Sequence, residues 1–126
     1  MNLVDTDVLI QFLRKDPKAR TWFASQAQLP SVPGFVAMEL KFGCENSVDV
    51  AAVNRLLKPL TVVWPSKTAC DNMNSVYGPL KLSHNLGILD ALIAATALDN
   101  NATLFTFNLK HYAAVPNLDV RAPYVR

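Results

Sequence analysis

Between Leu86 and Leu98 the chain reads LGILDALIAATAL, an apolar run interrupted by a single charge, Asp90. A carboxylate buried without a partner costs several kcal/mol or takes up a proton, so the fold must bring a cation, hydrogen-bond donors or water to this position. Ala and Leu dominate the run and predict a helix. At helical spacing Asp90, Ile93, Ala94 and Ala97 share one face, which puts the acid on the packed side, near the helix start where the dipole favours negative charge. Two roles stay open for it: a first-turn cap, or a ligand aimed into a site.

The rest of the chain alternates short apolar strands with helical patterns. Asn2 to Val4 predicts a first strand, followed after Asp5-Thr6-Asp7 by a helix carrying Val8, Leu9, Phe12 and Leu13. Asp16-Pro17 opens a second helix with Ala19, Trp22, Phe23 and Ala27, and Leu29 to Val32 predicts a second strand. Phe35 to Gly43 is apolar but for Glu39 and Lys41, giving a second acid in apolar company. A helix over Val48 to Leu57, a strand over Leu60 to Val63 and a helix over Ser66 to Tyr77 follow, the last stopped by Gly78-Pro79. Ser83 or Asn85 would cap the Asp90 helix, Asn100-Asn101 would end it, and Thr103 to Thr106 and Leu118 to Val120 would complete the strands. Strand alternating with helix over residues 1–126, with no repeat or linker, predicts one α/β domain with a parallel sheet of four or five strands between helical layers.

Composition narrows the partners. A net charge of +2 over 126 residues lacks the strong basic bias of a phosphate-binding surface, so a nucleic-acid ligand would need a bound metal or a local cluster to supply positive field. Cys44 and Cys70 form no CxxC and have no His at ligand spacing, which predicts free thiols in a reducing compartment. An acid interrupts MNLVDTDVLI where a signal peptide needs its apolar core, and no run reaches membrane-span length; a cytoplasmic protein is expected.

In parallel sheets ligands bind beyond the carboxyl ends of the strands. Asp5 follows the first strand and Asn108 the fourth, while Glu39 and Asp90 lie early in helices that could start at the same edge. Three converging carboxylates repel one another unless one is protonated or a cation binds, and oxygen donors without His or Cys favour Mg²⁺ or Mn²⁺ over Zn²⁺.

VDTDVLI, AMELKFG around Glu39, LDALIAATAL around Asp90 and LFTFNLKHY occur in an order and at separations that resemble the PIN-domain ribonucleases, and among them the VapC toxins of type II toxin–antitoxin pairs. The resemblance covers essentially the whole chain. It implies a three-layer α/β/α PIN-like fold, an Mg²⁺-dependent endoribonuclease acting on single-stranded RNA, homodimerisation, and inhibition by a small antitoxin. It carries the family's acids onto Asp5, Glu39 and Asp90 as metal ligands and catalytic residues. The fourth position departs from the pattern, because Thr106-Phe107-Asn108-Leu109-Lys110-His111 contains no acid; one metal is therefore expected, with Asn108 nearest the missing ligand. Thr6, Asp7 and Thr106 are further candidates for the site. A hard cation on carboxylates activates water, so no side-chain nucleophile is needed, and Ser75, Ser83, His84 and His111 form no convincing triad. His84 could touch substrate and Lys41, Lys81 and Lys110 could hold phosphates, the alternative for each being an ordinary surface residue. Trp22, Phe23, Phe35 and Phe42 exceed what a small sheet needs and predict in part a groove for an amphipathic antitoxin segment, whose arginine would reach the carboxylates. The alternatives are a catalytically inactive PIN fold serving as an RNA-binding or scaffold subunit, and a receiver-like module, for which Lys110 is badly placed.

Overall fold

β1 (Asn2–Val4) stands at the centre of five parallel strands, and the order in which the others flank it decides where a site can form. A computed structural model describes all 126 residues. β1 pairs in parallel with β4 (Thr103–Phe105), and β4 with β5 (Asp119–Arg121). On its other side β1 meets the β2–β3 pair (Val32–Pro33 and Val62–Val63) through a single Leu3–Ser31 bridge, with Val4 N–H donating to Ser31 C=O at 3.2 Å and Ser31 N–H to Asn2 C=O at 2.8 Å. The continuous ladder is thus three strands wide and extended by a two-strand flap, giving the spatial order β3-β2-β1-β4-β5. The chain winds outward from β1 in both directions. The β1–β4 boundary is therefore the topological switch point, whose carboxyl end is the crevice where such sheets bind ligands.

Leu3 and Val4 point to opposite faces of the sheet, and both are fully buried, as a strand covered by helices on both sides requires. Helices α1 (Thr6–Leu13), α2 (Pro17–Ser25), α3 (Gly34–Phe42), α4 (Ser47–Leu57), α5 (Lys67–His84), α6 (Ile88–Asp99) and the short α7 (Leu109–Tyr112) complete the α/β/α layers. Their starts follow local chemistry. Asp5, Asp16, Asn46 and Ser66 each accept a backbone N–H from the first turn of the helix they cap. At Gly34 a side chain has no room, since an added Cβ would lie 2.3 Å from the Trp64 ring.

Two local expectations give way to packing. α5 does not stop at Gly78-Pro79 but runs on to His84, ending at Asn85 with φ 52°. An internal proline costs a helix about 3 kcal/mol. Here burial of Leu80 and a 2.6 Å hydrogen bond from the Tyr77 hydroxyl to Leu86 C=O hold both ends of the continued segment against α6 and offset that cost. Ser83 is consequently inside α5 and Asn85 terminates it, so the Asp90 helix is capped by neither; Gly87 takes that position without a side-chain bond. Trp22 and Phe23 are also not groove residues. They stack edge to face with centroids 4.9 Å apart in the core, and Trp22 packs on Phe105.

Candidate active site

Asp5, Thr6, Asp7, Glu39, Asp90 and Asn108 line one cleft of about 770 Å³ at the carboxyl end of β1 and β4. Ile10, Leu13, Leu40, Phe42, Cys44 and Val53 form its apolar wall, and Asp49 adds a fifth acid. No Lys, Arg or His is among the lining residues. The cleft thus concentrates negative charge on a chain whose net charge is positive.

Asp5 is the most deeply placed acid, with 6% of its surface exposed. It leaves β1 and caps α1, Oδ1 accepting Thr6 N–H at 2.8 Å, while Oδ2 faces the Thr106 hydroxyl at 2.9 Å and the Tyr112 hydroxyl at 3.0 Å. Burial, followed by the charge of Asp7, pushes its pKa up to about 6 against the pull of these three donors. Asp7 is half-buried and its pKa is also raised, chiefly by burial; Oδ2 accepts Phe107 N–H at 3.0 Å, which fastens the segment after β4 to the first turn of α1.

Asp90 occupies the first turn of α6, yet its partners are not helix N–H groups. Oδ2 lies 2.6 Å from His111 Nε2 and Oδ1 lies 3.1 Å from the Tyr112 hydroxyl. The reading of Asp90 as a mere helix cap therefore fails. Glu39, one turn from the end of α3, accepts a short hydrogen bond from the Thr6 hydroxyl. Thr106, fully buried, also accepts Asn108 N–H at 3.1 Å, shaping the turn that carries Asn108 to the cleft. Burial first, then the charges of Asp5 and Asp90, raises the Tyr112 pKa far above the ordinary phenol range, so this hydroxyl stays protonated.

The donor set suits a hard divalent cation: three carboxylates on separate elements face one acid-lined cleft that lacks a basic side chain. In this arrangement no three of the His, Cys, Asp and Glu side chains close on a common point. Asp5 is held by Thr106 and Tyr112, Glu39 by Thr6, and Asp90 by His111 and Tyr112.

Residues 3–116 match the PIN domain family. The chain belongs to that family. This PIN domain is similar to ribonuclease VapC19 of Mycobacterium tuberculosis, 30% identical with 98% of this chain and 100% of the relative covered. It is also similar to ribonuclease VapC10 of the same species, 32% identical over 89% and 86% of the two chains. Among solved structures it superposes on a chain of VapBC-1 from nontypeable Haemophilus influenzae with a TM-score of 0.80 at 26% identity, covering 97% of each chain. For the fold alone, DNA-bound VapBC from Salmonella typhimurium gives a TM-score of 0.85 at 21% identity, covering 98% of this chain and 100% of the other.

All seven residues that sequence reasoning singled out for this PIN domain meet at the cleft: six line it, and Thr106 lies just beneath, bonded to Asp5 and Asp7. Other candidates do not reach it. His84 is exposed on α5 beside Ser83, Lys81 pairs with Asn85, and neither Lys41 nor Lys110 lines the cleft. Sequence reasoning missed Tyr112 and gave His111 only a passing role. Both sit in the LFTFNLKHY block, and the available signal was a pair of polar-tipped rings ending a segment otherwise aimed at the site. Phe42 is 90% exposed beside the cleft, whereas Phe35 packs edge to face on Trp64.

Proposed function

We propose that this PIN domain is a VapC-type toxin, a divalent-metal-dependent endoribonuclease that cuts single-stranded RNA and is restrained by a small antitoxin. The observation that carries the reading is that the cleft's charged lining is all acidic, with Asp5, Glu39 and Asp90 arriving from three elements at the switch point of the sheet. An RNA phosphate has no reason to approach such a surface unless a cation stands between.

Asp5, Glu39 and Asp90 would hold the ion, with Asn108 beside them as a neutral ligand. Bound there, Mg²⁺ or Mn²⁺ supplies an activated water and neutralises charge gathering on phosphorus and the leaving oxygen. The chain's own side chains prepare the ligands. Thr106 and Tyr112 fix one oxygen of Asp5 and Thr6 N–H the other, the Thr6 hydroxyl holds Glu39, and His111 holds Asp90. Asp5 thus meets three protein donors, two of them hydroxyls whose single protons are shared with Asp7 and Asp90. Asn108, neutral where the family pattern has an acid, favours a single-ion site.

The antitoxin reading is supported by neighbours that are VapBC complexes and by the exposure of Phe42 at the cleft and of Met38 one turn before it on α3, an apolar ledge for an amphipathic segment whose arginine would compete with the metal. Homodimerisation is proposed only as what the sequence resemblance to the VapC toxins implies. A cytoplasmic location is proposed as part of this reading; separately, no helix is long and apolar enough to cross a membrane. The test is incubation of the purified chain with total cellular RNA, with Mg²⁺ or with EDTA, followed by mapping of the ends. Discrete cuts that require metal and vanish in Asp90→Asn are expected. Cleavage indifferent to EDTA overturns the reading, and RNA binding without cleavage in any metal favours the inactive scaffold instead.

A further inference from the structure

We propose that Tyr112 is a positioning residue for the cation, its hydroxyl spanning Asp5 and Asp90 and directing the free lone pairs of both into the cleft. The inference rests on the metal-dependent reading above. Tyr112 closes α7 with its ring fully buried, and its hydroxyl lies 3.0 Å from Asp5 Oδ2 and 3.1 Å from Asp90 Oδ1. Those two acids come from opposite parts of the fold: one ends β1, the other opens α6. The hydroxyl is the one side-chain group bonded to both. Thr106 reaches Asp5 and Asp7 but not Asp90, and His111 reaches Asp90 alone.

A ring needed only for packing would be better served by phenylalanine, because a buried hydroxyl forgoes water and must recover that loss in hydrogen bonds. Tyr112 recovers it entirely from two candidate ligands. Its single hydroxyl proton is shared between Asp5 Oδ2 and Asp90 Oδ1, which keeps these two oxygens turned toward the hydroxyl and restricts the rotation of both carboxylates, so their other oxygens face where an ion would sit. Groups that hydrogen-bond to metal ligands in this way set affinity without touching the metal.

The test is direct titration of the full-length protein with Mn²⁺, free ion being read by electron paramagnetic resonance, for wild type, Tyr112→Phe and Asp90→Asn. Tyr112→Phe is expected to bind Mn²⁺ with a Kd raised by about 10- to 100-fold, and its lost cleavage is expected to return at high Mn²⁺. A Kd within about twofold of wild type, with Asp90→Asn abolishing binding, overturns the proposal while leaving the metal site standing. If wild type and Asp90→Asn both fail to bind Mn²⁺, the metal-dependent reading has failed and the proposal falls with it. Should Tyr112→Phe not fold, wild type labelled with 3-fluorotyrosine decides. Of the three tyrosines, one ¹⁹F resonance should shift in step with Mg²⁺ saturation, and three unmoved resonances at saturating Mg²⁺ overturn the role.

Discussion

Replacing Asp5 with Asn should stabilise the metal-free protein while abolishing cleavage. In the folded chain the Asp5 pKa is raised from 3.8 to about 6, which at 1.36 kcal/mol per unit makes its ionised form about 3 kcal/mol less favourable folded than unfolded. Because the folded value is the higher one, that penalty is fully present above pH 6, shrinks as pH falls toward 3.8, and is absent below it. Asn at this position carries no charge and need lose no hydrogen bond. Its amide oxygen still accepts Thr6 N–H, and its NH₂ faces two hydroxyls whose own protons can turn to Asp7 at 3.2 Å and Asp90 at 3.1 Å. Allowing for imperfect rearrangement, a gain of about 1–3 kcal/mol at pH 7.5 is expected, or roughly 4 °C of Tm per kcal/mol for a chain of this size. Thermal melts of both proteins in EDTA at pH 7.5 and 4.5 read it out. Asp5→Asn should melt higher at pH 7.5, with the gap narrowing at pH 4.5, and only wild type should gain from added Mn²⁺. An Asp5→Asn protein that melts below wild type by the same margin at both pH values would falsify the account of a desolvated carboxylate.

Further outcomes follow from the same geometry. Glu39→Gln and Asp90→Asn should each lower cleavage by at least about 100-fold while leaving far-UV circular dichroism unchanged, since each keeps its size and loses only charge; near wild-type rates in either would remove that residue from the site. Asn108→Asp should tighten Mn²⁺ binding several-fold, yet shift stability in EDTA by no more than about 0.5 kcal/mol because the side chain is exposed; equal affinities would place Asn108 outside the metal shell. Phe42→Ser should weaken antitoxin binding by about tenfold or more without changing Tm, as expected for an exposed aromatic anchor; unaltered binding would move the antitoxin elsewhere. Expression without antitoxin should arrest growth of a bacterial host, and arrest that survives Asp5→Asn would exclude a nuclease mechanism.

Local chemistry wrote most of the fold into the chain. Asp16 and Ser66 announce helices because a side-chain oxygen a few residues from a free N–H needs no tertiary partner, and they cap as that rule requires; Asp5 and Asn46 cap by the same chemistry. Strand alternating with helix implied a parallel sheet whose topology brings Asp5 and Asp90 to one edge, whereas Glu39, expected early in its helix, reaches the cleft from one turn before the end of α3. What the sequence could not weigh was competition between local cost and distant packing. Pro79 lies within α5 because Leu80 and the Tyr77–Leu86 bond outweigh it, and Trp22 and Phe23 lie in the core while Phe42, no less apolar, stays exposed. The same holds at the cleft. Tyr112 reaches Asp5 across 107 residues and Asp90 across 22, and no spacing rule connects positions so far apart. The sequence determined which acids the site could use; the tertiary structure decided which hydroxyls and imidazole hold them, because those contacts exist only once β1, α6 and α7 have packed together.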